Sequence, residues 1–143
     1  VIHRRDIMAA VRSSVAGIPG IKTVGTLLLN HDQVPNQPAA FPVHVGERPV
    51  EDPYNLRGMR EMAVELWLYT RGTERTDGDL EAAIDDLVDA AEAAFAPEPI
   101  TNTNTLGDLV TACWIERIQI SPGHAEGQAA AVIDLTILTL PPQ

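Results

Sequence analysis

Cysteine, lysine and aromatic residues are all scarce in this chain, and each scarcity closes off a class of protein. A single cysteine, Cys113, permits neither an intrachain disulfide nor a cysteine-rich zinc site. Set between Ala112 and Trp114, it reads as a small buried hydrophobe with an inert thiol. Lys22 is the only lysine, and the formal net charge is −10. Such a chain lacks the cationic patch that supplies most affinity for nucleic-acid phosphates. No apolar run approaches the ~18 residues of a membrane span. The opening VIHRRDIMAAVRSS carries charges where a secretory signal needs an apolar centre. There is no P-loop, no GxGxxG and no Gly-x-Ser-x-Gly elbow. His3, His31, His44 and His124 are too widely spaced for a helical zinc pair.

What remains is an ordinary globular composition. The chain has 143 residues, 45% of them hydrophobic, enough for one domain over 1–143 that buries roughly 68–70% of its unfolded surface. Residues 2–16 read as a first helix, with Ile7, Met8, Val11 and Val15 on one side and Arg4, Arg5 and Arg12 around the rest; Gly17, Pro19 and Gly20 stop it. Ile21–Leu29 reads as a strand, Asn30–Ala40 as a loop, and Phe41–Val45 as a short strand whose Pro42 suits an edge or an end. Gly46–Gly58 is long for a connection and is broken by Pro49 and Pro53.

Arg60–Thr70 is the clearest strand. Met62, Val64, Leu66 and Leu68 belong on the core, while Glu61, Ala63, Glu65, Trp67 and Tyr69 share the other face. Thr76–Phe95 follows as an amphipathic helix, its Thr76 and Asp79 arranged as a shortened capping box. Its apolar stripe runs Leu80, Ala83, Ile84, Leu87, Val88, Ala91 and Phe95, and its other side carries Asp79, Glu81, Asp85, Asp86, Asp89 and Glu92 with no base among them. Leu109–Ile120 and Gln128–Leu140 are strands joined by Ser121–Gly127, which implies an antiparallel hairpin. The order α-β-β-β-α-β-β predicts an α+β fold: a mixed, mostly antiparallel sheet of about five strands packed by two helices.

Chemistry is harder to find than architecture. Asp85 and Asp89 face the same way, but a solvated helix face gives no means of driving two carboxylate pKa values apart. His44 and His124 with a nearby acid offer a metal-enzyme reading, which needs them to meet in space. Ser121 and His124 share a turn but lack an orienting acid. The aromatics say more. Trp67, Tyr69 and Trp114 indicate that both sheet faces carry large apolar groups, with the first helix covering part of the second face and a partner the remainder.

The order of elements and their segments resemble the tail terminator (tail completion) proteins of long-tailed bacteriophages. The likeness is carried by the short first helix, Ile21–Leu29, Phe41–Val45 ending in Gly46-Glu47, the VELWLYT run of Glu61–Tyr69, the acidic helix Asp77–Phe95 and the terminal hairpin. It implies a structural subunit without catalysis, cofactor or metal, which forms a ring of typically six copies on the head-proximal end of the tail tube. Its partners would be itself, the tail tube protein and the head's connector or stopper, with genome DNA passing through unbound. Within this expectation, Arg4, Arg5, Arg12, Glu47, Arg48, Trp67 and Tyr69 are candidate interface residues, together with an arm at Gly46–Gly58 anchored by Tyr54, Leu56 and Arg57. Asp79, Asp85, Asp86, Asp89 and Glu92 are the candidate lumen or inter-subunit acidic face. A head–tail adaptor or stopper is the near alternative, although five strands favour the terminator. A small acidic metal-binding enzyme and a monomeric interaction domain are the distant ones.

Overall fold

The computed structural model describes residues 3–51, 58–71, 77–100, 102–121 and 128–140. Helix α1 spans Arg4–Ala16, opened by the Asp6 carboxylate, which accepts the His3 backbone N–H at 3.1 Å. Gly17 closes it, its N–H bonded to Ser13 O at 3.3 Å. Strand β1 is only Thr23–Val24, followed by a 3-10 turn at His31–Gln33, β2 at Ala39–Pro49 and β3 at Arg60–Arg71. Helix α2 covers Asp77–Ala94, and β4 (Ala112–Ser121) and β5 (Gln128–Thr139) complete the chain. The fold is α+β. Its five-stranded sheet has the order β1-β2-β3-β5-β4, antiparallel except for the β1–β2 pair.

Side-chain alternation decides the layers. Met62, Val64, Leu66 and Leu68 of β3 and Ala129, Ala131, Ile133, Leu135 and Ile137 of β5 point to one face and are all buried. Onto them pack Ile7, Met8, Val11 and Val15 of α1 and Leu80, Ile84, Leu87, Val88, Ala91 and Phe95 of α2, as one core cluster. Both helices therefore lie on the same side of the sheet. This corrects the expectation that α1 would cover part of the other face. The apolar stripe of α2 is too narrow for the sheet and packs on β3 and β5, while α1 packs beside it on β1 and β2.

The chain after β1 covers one end of the second face instead. Val34, Ala39, Phe41 and Tyr69 form a small separate cluster there, joined by Leu29, Trp67 and Ala130. His31 fastens it: Nε2–H donates to the carbonyls of Thr70 and Ala129 at 3.1 and 3.2 Å, and the ring lies against Tyr69 with centroids 4.8 Å apart. Gln37 closes the turn by donating to the carbonyls of His31 and Val34 at 3.1 and 3.0 Å.

Several sequence boundaries move. The strand expected over Ile21–Leu29 shrinks to Thr23–Val24, because the chain turns across the sheet face after Gly25. The short strand Phe41–Val45 grows to Ala39–Pro49, taking in the start of the expected loop Gly46–Gly58. The hairpin of β4 and β5 forms as expected. The Thr76 cap and the turn 122–127 lie outside the described residues.

Candidate interaction face

Beyond the cluster around Tyr69, the second face of the sheet has no helix over it. Its residues stand in rows across the strands. The first row starts under that cluster, at Phe41, and runs through Trp67 to Val132 and Gln119; the next is Val43, Glu65, Asp134 and Arg117; the third is Gly46, Ala63, Thr136 and Trp114. Beyond these lie Arg48, Glu61, Leu138 and Ala112.

Two β-bulges shape this face. In β2 the register slips between His44 and Gly46, leaving Val45 unpaired; in β4 it slips between Ile115 and Arg117, leaving Glu116 unpaired. Val64 and Leu135 pair with each other, with His44 and Ile115 as their outer partners, so the two bulges flank the central strands at the same level. A bulge bends its strand and increases local twist. Between them the small side chains of Ala63 and Thr136 form a floor, and an open trough of about 440 Å³ lies over it, edged by Val45, Arg48, Glu61 and Glu116. A smaller hollow continues it past Glu65 and Asp134.

The charges on this face are mostly held. Arg48 bonds Glu61 at 2.8 Å, which raises the guanidinium pKa above its ordinary value through hydrogen bonding first and charge second. Trp67 Nε1–H donates to Glu65 at 3.1 Å and Trp114 Nε1–H to Glu116 at 2.7 Å, each carboxylate lying two residues along its own strand. Glu65 and Asp134 face each other directly across β3 and β5. Like charges so placed repel; Arg117 stands opposite Asp134 on β4, and Glu65, opposite Val43, is the acid of this row with no base facing it across a strand.

Compared with known proteins, the chain matches no family model and no curated sequence.

The expected interface residues divide. Trp67 and Arg48 do lie on the uncovered face, with Trp114 at 37% exposure. Tyr69 does not serve there: it is 5% exposed, its hydroxyl donating to Leu29 O at 2.9 Å under the segment that crosses it. Arg4 and Glu47 meet each other at 2.6 Å, tying the start of α1 to β2, with His44 Nε2 3.9 Å from the same carboxylate. Arg5 is exposed on α1 and Arg12 half-buried. Asp85, Asp86, Asp89 and Glu92 line the exposed side of α2. Tyr54, Leu56, Arg57 and the side chain of Asp79 lie outside the described residues, as does His124. Among the described residues no group of His, Cys, Asp and Glu is placed to hold a metal ion, and no helix is long and apolar enough to cross a membrane.

Sequence reasoning missed the trough, although β4 carries its signature. The core-facing residues are odd-numbered through Cys113 and Ile115, then even-numbered from Ile118. A change of parity inside one strand requires an extra residue, and that residue is Glu116.

Proposed function

We propose that this chain is a structural subunit of a phage tail, assembling with its own copies into a ring at the head-proximal end of the tail tube. In this role it ends tube polymerisation, joins the tail to the head's connector or stopper, and lets genome DNA pass through an acidic lumen. The observation that carries the reading is the one-sided helix layer. It leaves a broad sheet face bearing Trp67, Trp114 and a charged trough, a mixture of aromatic and arginine groups of the kind enriched at protein interfaces. The resemblance in element order supplies the identity of the assembly, and the predominance of strand favours a terminator over a helical adaptor.

The strand edges support face contacts over edge contacts. The outer edges of β2 and β4 carry the two bulges, Pro42 and Pro49, and the charges Glu47, Arg48, Glu116 and Arg117. These are devices that discourage edge-to-edge pairing. The deciding experiment is electron microscopy of polymerising tail tubes with and without the protein. The expected result is tubes of limited length with a density at one end; tubes that lengthen unchecked with bare ends would overturn the proposal.

A further inference from the structure

The trough between the two bulges has a chemistry that selects its occupant. Its floor is small and weakly polar, and the acids Glu61, Glu65, Glu116 and Asp134 around it outnumber the bases Arg48 and Arg117. A long cationic side chain matches this shape: the alkyl stem covers Ala63 and Thr136, the head reaches the carboxylates, and Trp114 offers a ring for stacking. Two copies of this face are a poor match for each other about a two-fold axis, because its acids outnumber its bases and Arg48 is already bonded to Glu61. An axis through the Glu65–Asp134 pair would press acid on acid. A heterologous contact, with a different, basic surface of the second copy, satisfies these carboxylates better.

Only one element among the described residues presents such a surface. On α1, Arg5, Ala9, Arg12 and Ala16 recur at helical spacing on the side away from the buried Ile7, Val11 and Val15. Ala9 between the two arginines and Ala16 beyond Arg12 let a sheet approach the helix closely. The other arginine of this helix, Arg4, is already engaged by Glu47 of its own chain.

We infer that the trough on the uncovered sheet face seats α1 of a second copy, with Arg5 and Arg12 reaching its carboxylates. Each subunit then offers a sheet face on one side and a helix on the other, the arrangement that closes into a ring or runs on as a filament. The inference rests on the proposed ring subunit and names the surfaces by which it assembles.

Sedimentation velocity of the full chain at low ionic strength, with circular dichroism to confirm folding, tests it. Ala63→Leu fills the floor, and Arg12→Glu and Asp134→Arg each place like charges together. Each of the three is expected to raise the dissociation constant about tenfold or more. Arg12→Glu combined with Asp134→Arg should recover association, a rescue that a general loss of stability would not give. If the chain assembles only on tail tubes, the same variants are read by capping. Wild-type rings that tolerate all three substitutions would overturn the inference and leave the ring reading standing, as would symmetric dimers joined through the sheet face overturn this choice of surfaces. A wild-type chain that neither associates nor caps tubes would end both.

Discussion

Gly25 has no room for a side chain. A Cβ there would overlap the ring of Phe41, which is itself 1% exposed and wedged against Tyr69 at a centroid distance of 5.6 Å. The ring cannot retreat without opening the small cluster, so Gly25→Ala should cost about 1–3 kcal/mol, the usual range for an overfilled site. Urea unfolding checks it; an unchanged midpoint would mean that Phe41 moves freely. Cys113 makes a second prediction at this scale. It is 3% exposed on the helix-covered face, and burial pushes its thiol pKa up to about 12. In the unfolded chain the thiol ionises near pH 8.5. The folded state therefore holds its proton where the unfolded state has released it, and the unfolded state gains on the folded one as pH rises. The stabilising effect is complete below about pH 8.5 and is lost by at most about 1.4 kcal/mol per pH unit up to about pH 12. Native protein should resist thiol reagents at pH 8 and react on unfolding; rapid labelling of folded protein would contradict the burial.

At the scale of elements, the segment between β1 and β2 depends on His31. Its Nε2 must carry the proton, since both partners, Thr70 O and Ala129 O, only accept. His31→Ala removes that bond and the contact with Tyr69, and should release the segment while leaving the main core intact. Hydrogen exchange should show lost protection at the Val34 amide, which bonds His31 O at 3.3 Å, with little change in the middle of β3 and β5. Uniform loss across the sheet would show that the small cluster and the main core unfold together. What could be read in advance follows the same division. β3, β5 and both helices declared themselves because alternation or helical spacing is a local property of consecutive residues. β2 runs past the strand its own residues indicate because GERP reads as a turn, whereas its strand character comes from pairing with the next strand, β3, which no window within β2 records. The crossing segment looked like a strand up to Leu29 because its apolar residues cover a sheet end as well as they would fill a sheet. That α1 and α2 share one side depends on how wide a sheet two stripes must cover, which no single segment records.

For the molecule as a whole, charge is distributed by surface. Asp85, Asp86, Asp89 and Glu92 stand exposed along α2, while Leu80, Ile84, Leu87 and Val88 of the same helix are buried against the sheet. Because the acids make no part of that packing, Asp85→Lys with Asp89→Lys should change stability by no more than about 1 kcal/mol, about 0.5 kcal/mol for each surface substitution. If α1 meets the sheet face of a neighbour, the same double variant should also assemble as the wild type does. Its effect should appear toward DNA. In the proposed ring these acids keep the passing duplex from adhering, and lysines in their place, repeated by the symmetry, would neutralise phosphates and release counterions. The variant ring should therefore retard duplex DNA at low salt, with an affinity that falls steeply as salt is raised, while the wild-type ring does not. An assembled variant that ignores DNA as the wild type does would move α2 out of the lumen and onto the outer wall. A variant that fails to assemble would place its acids at the subunit contact, in competition with the trough.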